Sequence, residues 1–123
     1  GFAVELETKA DSRGVLAEIL KAAGHGQFFV SRTKPGITRG NHYHDTKVEK
    51  FLVLEGEGLI RFRHLATGES AEDPVSGRAM KVVDIPPGWT HSIRNVGSSD
   101  MIVLFWASEV FDPGRPDTYP AEV

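Results

Sequence analysis

Short apolar runs, each broken by a turn bearing glycine or proline, follow one another along the whole chain. Period-two alternation over residues 27–33, and apolar runs at 51–54, 59–64, 81–85 and 101–106, predict strands, because side chains of an extended backbone leave its two faces in turn. The last run is almost wholly apolar, which predicts a central strand covered on both sides. Residues 15–23 fit two readings: Leu16, Ile19 and Leu20 are spaced for one face of a helix, yet 14–20 is short enough for a strand. Asp11-Ser12-Arg13-Gly14, Lys34-Pro35-Gly36 and residues 96–100 read as turns. Residues 66–77 read as a polar hairpin tip, and 111–120 as an extended proline-rich tail lying on the body. Glu55-Gly56-Glu57-Gly58, set between two apolar runs, predicts a tight hairpin with Glu55 paired to Gly58. That register sets Val53 opposite Ile60, Phe51 opposite Phe62 and Glu49 opposite His64. Leu52, Leu54, Arg61 and Arg63 then share the other face.

Composition narrows the picture in a few places. At 123 residues the chain has room for one core, so a single domain over 1–123 is expected. Thirteen glycines and seven prolines spread between the runs favour joined strands over a helical bundle. A formal net charge of -3 gives no bulk attraction to nucleic acid or to an anionic membrane, and neither is expected as a partner. The absence of cysteine excludes disulfides and thiolate ligands, so any metal falls to histidine and carboxylate. No apolar run approaches the roughly 18 residues needed to span a bilayer, and no secretion leader opens the chain, so a cytoplasmic location is expected. Gly24-His25-Gly26 begins a Gly-x-Gly, but Phe29 stands where a dinucleotide fingerprint needs a small residue, and the segment reads as a turn.

The candidate chemistry lies in two stretches. His42 and His44 are two apart, so on a strand both imidazoles leave one face, and Glu49 opens an apolar run that can bring a carboxylate beside them. Downstream, Pro86-Pro87-Gly88-Trp89-Thr90-His91 places a third histidine at the start of another strand, after a rigid turn. Three imidazoles and a carboxylate suit a first-row divalent metal; zinc is the first candidate, with nickel, iron and manganese as alternatives. The competing reading is a barrel interior that is merely hydrogen-bonded.

Gly36, His42, His44, Glu49 and Gly56 fall at every fixed position of the first cupin signature, and Pro86, Gly88, His91 and Asn95 meet the second, with Met80 where that signature opens on glycine. Lys34-Pro35-Gly36-Ile37-Thr38, Gly40-Asn41-His42, Lys50-Phe51-Leu52-Val53, Ile60-Arg61-Phe62-Arg63-His64, Phe111-Asp112-Pro113 and Pro116-Asp117-Thr118-Tyr119 carry a closer likeness. Through them the chain resembles the C-terminal cupin domain of CapF-type capsular-polysaccharide assembly proteins. The resemblance implies an all-β double-stranded β-helix, the cupin jelly-roll barrel, and favours a strand for residues 15–23.

It also implies an isomerase acting on a UDP-sugar: C3 epimerisation of a 4-keto-6-deoxy-HexNAc on the way to UDP-N-acetyl-L-fucosamine. An NADPH-dependent reductase, fused or separate, then reduces C4. In that setting Lys34, Arg39 and Lys47 are candidates for binding a substrate phosphate, and Trp89 for lining the cavity mouth. His64, opposite Glu49 in the expected hairpin, and Glu49 itself are the candidate proton-transfer groups. Tyr43 is expected to point away from the interior, and Tyr119 reaches the site only if the tail folds over the opening. A homodimer is expected through the Leu52, Leu54, Arg61 and Arg63 face. The alternatives in other classes are an iron or manganese cupin oxygenase, and a non-catalytic module for sugar binding or dimerisation.

Overall fold

The computed structural model describes residues 1–3, 5–22, 24–109 and 112–123. Among them lie strands β1 (Thr8–Asp11), β2 (Gly14–Ala22), β3 (Gly26–Thr33), β4 (Thr38–Tyr43), β5 (Glu49–Glu55), β6 (Glu57–His64), β7 (Ser70–Ser76), β8 (Val82–Ile85), β9 (Trp89–Asn95), β10 (Met101–Ala107) and β11 (Tyr119–Pro120). They form two antiparallel sheets, a six-stranded one in the order β1-β2-β3-β10-β5-β8 and a five-stranded one in the order β11-β4-β9-β6-β7. This is the all-β jelly roll that the resemblance implied. No helix among the described residues is long and apolar enough to cross a membrane.

The segment read either way from sequence is strand β2: Gly14 pairs with Thr33 and Ala17 with Val30 of β3. Ala23, its expected last residue, and Phe111, the expected first residue of the tail, lie outside the described residues. Strand β10 is central as expected, bonded to β3 on one side and β5 on the other. Its inward residues Met101 and Val103 are buried, and they join Phe51, Val53, Ile60, Val75, Val83, Ile85 and Ile93 in one core drawn from both sheets.

The expected hairpin at Glu55–Gly58 is not formed. β5 lies in the six-stranded sheet against β10 and β8, whereas β6 lies in the five-stranded sheet against β7 and β9. Gly56 turns the corner between them with φ of 93°; a Cβ there would stand 2.9 Å from the Met101 Cα. Two glycines flanked by apolar runs signal a tight reversal and a change of sheet equally well, and here the second outcome buries Val53 and Ile60 from opposite layers. Two expectations fall with the hairpin. His64 pairs with Trp89 rather than lying opposite Glu49. Leu52 and Leu54 also belong to a different sheet from Arg61 and Arg63, so these four residues share no face. The polar stretch at 66–77 is likewise more than a tip, since β7 pairs with β6 throughout and contributes buried Val75 to the core. Pro74 is accommodated because β7 is an edge strand.

Candidate metal centre

Strand β4 is bent to serve the interior. Arg39 faces Ile93 of β9, Gly40 faces Ser92, and His42 faces His91, so three steps along β4 match two along β9. The extra residue is Asn41, at φ of 58°, preceded by Gly40 at φ of 101°. Only glycine fits at position 40, where a Cβ would come 2.8 Å from the His91 carbonyl oxygen. In a regular strand Arg39 and His42 would leave opposite faces; the bulge turns both toward one cavity. Tyr43 points the other way, as expected, and its ring stacks on Tyr119 at 5.2 Å.

His44 follows the end of β4, Glu49 opens β5 and His91 lies on β9, and their side chains converge with His42. One ligand atom from each of the four lies within 4.8 Å of every other. His42 Nε2 is 4.0 Å and His91 Nε2 3.5 Å from the same Glu49 oxygen, and His44 Nε2 is in direct hydrogen-bond contact with it. Glu49 is 7% exposed, His44 3% and His91 1%.

Burial would raise the Glu49 carboxyl, but the hydrogen bond from His44 and the charge of His44 and His91 outweigh it and hold the group far below its ordinary range. Burial would lower His44, yet the Glu49 carboxylate raises it above 6.5. Burial first, and the neighbouring His91 second, push His42 down to about 4, so its imidazole is neutral at physiological pH with a lone pair to offer.

These residues fit a divalent metal. Both ring nitrogens of His91 are buried with no hydrogen-bond partner among the described residues, an arrangement that costs free energy unless something else takes a nitrogen lone pair. Nitrogen and oxygen donors without thiolate suit zinc, nickel, iron or manganese. Bonds of about 2.0–2.2 Å need the ligand atoms roughly 3.3 Å apart in a four-coordinate site, so the wider spacings would close and the direct His44–Glu49 contact would open.

Other expected site residues divide sharply. Arg39 lines the cavity together with His42, Glu49 and His91, whereas Lys34 and Trp89 are not among the lining residues. Lys34 is exposed on a turn. Lys47, 7% exposed, donates from Nζ to the Pro116 carbonyl and belongs to the packing beneath the ligands. Trp89 carries the His64 ring edge to face at 4.9 Å. His64 Nδ1 accepts the backbone N–H groups of Ala66 and Thr67, and that ring closes a loop outside the cavity.

The tail contributes residues whose roles the sequence did not reveal. The Asp117 carboxylate accepts the N–H groups of Asp45, Thr46 and Lys47, the loop that carries His44 toward Glu49. Its backbone carbonyl accepts His44 Nδ1–H at 2.6 Å, which leaves Nε2 facing the other ligands. Asp117 sits at φ of 50°, a conformation that aspartate tolerates better than most residues. Pro116-Asp117-Thr118-Tyr119 stood out in the sequence, but nothing local ties it to a histidine so distant along the chain. Arg13, which also lines the cavity, was read only as part of a turn.

Comparison with known proteins gives the chain its relatives. The chain is 46% identical over 122 residues to the UDP-2-acetamido-2,6-beta-L-arabino-hexul-4-ose reductase of Pseudomonas aeruginosa, covering 99% of this chain and 33% of that protein. The capsular polysaccharide assembling protein CapF from Staphylococcus aureus is 51% identical and superposes with a TM-score of 0.96 over 99% of this chain and 33% of its own. The chain thus spans about a third of the length of these relatives. Oxalate decarboxylase of B. subtilis, 20% identical with a TM-score of 0.76 over 94% of this chain and 30% of its own, shares the fold. The polysaccharide biosynthesis C-terminal domain family matches residues 9–119, and the chain belongs to that family as a cupin domain of the CapF type.

Proposed function

We propose that this chain holds a divalent metal, zinc first among the candidates, on His42, His44, Glu49 and His91. We further propose that it epimerises C3 of a UDP-linked 4-keto-6-deoxy-HexNAc in surface-polysaccharide synthesis. The observation that carries this reading is the convergence of the four donors in one cavity, around a buried histidine whose ring nitrogens make no hydrogen bond among the described residues. The relatives' part in nucleotide-sugar and capsule synthesis supports the substrate class.

A C–H bond beside a ketone loses its proton readily only when charge growing on the carbonyl oxygen is stabilised, and a bound divalent metal would supply that Lewis acidity. The chain's own part is to hold the sugar and keep water away. Leu16, Phe51, Ile93, Val103 and Phe105 give the cavity apolar walls, which strengthens every charge interaction inside. Glu49, held anionic, is poorly suited to take the C3 proton while it serves as a ligand. Removal and return of one proton changes no oxidation state, so the step needs no hydride donor. Reduction of C4 does need one and falls to the reductase of the same pathway.

The test is incubation of the 4-keto UDP-sugar in deuterated water with the chain loaded in turn with zinc, nickel, iron and manganese. Deuterium is expected at C3, read by mass spectrometry, and is expected to vanish in His91→Ala. No exchange with any of the metals would overturn the reading.

A further inference from the structure

The cavity holds a feature that the metal cluster does not use. Arg39 is half-buried on its wall, and its Nε donates to Thr33 Oγ1 at 2.8 Å. Thr33 is itself fully buried. Among the described residues no carboxylate forms an ion pair with Arg39, and none accepts from the remaining N–H groups of its guanidinium. Arg13, the other cation lining this cavity, is already engaged by Asp11 at 2.7 Å and stands more exposed. Burial, and then the charge of Arg13, lower the pKa of Arg39, with Asp11 offsetting part of the effect. A guanidinium partly withdrawn from water and set near a second cation gains from pairing with an anion.

Size and spacing decide which anion. The cavity encloses about 180 Å³, well below the roughly 300–1,000 Å³ of pockets that take a drug-sized ligand whole. It admits a sugar ring and leaves a nucleotide outside. Along β9, Ile93 opposite Arg39 and His91 opposite His42 are two residues apart, so the guanidinium strand position and the ligand position are separated by roughly 7 Å. The sugar proposed as substrate is a pyranose. In such a ring C4 and C1 lie at opposite ends, so a ketone at C4 near the histidines directs the group on C1 toward Arg39.

We propose that Arg39, with Arg13 at the rim, is an anion subsite for the diphosphate of the nucleotide sugar, and that the bulge at Gly40-Asn41 exists to aim it. The inference rests on the nucleotide-sugar reading for its ligand and adds the residue that orients the ring. Planar guanidinium suits phosphate oxygens through paired N–H donors, which an ammonium cannot reproduce.

Calorimetric titration tests it, with UDP, inorganic pyrophosphate and uridine as separate probes, on the zinc-loaded chain and again after chelation. UDP and pyrophosphate are expected to bind in both states, and uridine to bind far more weakly. Arg39→Gln is expected to weaken UDP and pyrophosphate by roughly 10- to 100-fold at unchanged zinc stoichiometry, and Arg39→Lys to lose less. If Arg39→Gln fails to fold by circular dichroism, Thr33→Val replaces it; loss of the hydroxyl that aims the guanidinium is expected to weaken UDP severalfold. UDP binding that is unchanged in these variants, or that disappears on chelation, overturns the subsite. The outcomes are separable: loss of UDP affinity in Arg39→Gln without C3 exchange in the wild type keeps the subsite and removes the epimerase. Exchange with UDP affinity indifferent to Arg39 does the reverse.

Discussion

Two regions of one interior are built by opposite rules. Around Val53, Ile60, Val75 and Met101 the two sheets close on each other with apolar side chains alone, and Gly58 fits between the Met101 sulfur and Val75. Around His42, His44, Glu49 and His91 the same sheets enclose three imidazoles, a carboxylate and, a short way along β4, a guanidinium with no carboxylate partner among the described residues. The first region gains stability from contact and needs nothing further. The second is a set of costs, most plainly the unpartnered nitrogens of His91, that a bound cation and a bound anion would offset. The contrast separates the part of the barrel that is complete on burial from the part that a ligand would complete.

The largest effect should come from breaking the polar region. His91→Ala is expected to abolish stoichiometric metal by inductively coupled plasma mass spectrometry. It should also abolish the metal-dependent stabilisation, which is about 4 kcal/mol at a thousandfold excess over the dissociation constant. Wild-type metal content in this variant would dismiss the site. Ile60→Ala probes the apolar region in the converse way: a loss of ~2–5 kcal/mol in urea unfolding, with metal stoichiometry unchanged. Metal loss in the folded variant would show that the two regions are not separate.

Asp117→Ala reaches the metal through the tail. Zinc affinity is expected to fall roughly 10- to 100-fold, with partial recovery in Asp117→Asn, whose side-chain oxygen still accepts an N–H from the loop. A smaller effect follows from the same carboxylate. Burial would raise it, but the N–H groups of Lys47, Asp45 and Thr46 hold it at about 2, below the ordinary 3.8. The folded state therefore takes up this proton less readily than the unfolded state. The stability it lends is complete above about 4 and is lost as pH falls toward 2. Acid titration of metal-free protein should show this component, and Asp117→Asn should lack it. The smallest effect is expected at His64. With its ring on Trp89 and its Nδ1 bonded to a loop, His64→Asn should leave metal content and C3 exchange near wild type. A hundredfold loss of exchange would return it to the mechanism.

The convergence of His42, His44, Glu49 and His91, the candidate metal cluster, was legible in the chain because its information is local. His-x-His with a glutamate shortly after, and a histidine following Pro-Pro-Gly, specify residue types and near-neighbour spacing, and alternation specifies strands. The family likeness added the barrel. What the chain alone left undecided depends on partners far apart in sequence. Gly56 permits both a reversal and a change of sheet, and only the burial of Val53 and Ile60 from opposite layers selects the second. That choice moved His64 away from Glu49. The inward turn of Arg39 depends on one extra residue against β9, which no pattern within β4 announces, since strict alternation would have sent it outward. Asp117 acquires its place by bonding a loop some seventy residues earlier, and so sets the nitrogen that His44 presents. Ligand identity thus follows from short-range spacing. Ligand orientation, and the cation that faces the site, follow from hydrogen bonds that exist only once the sheets have packed.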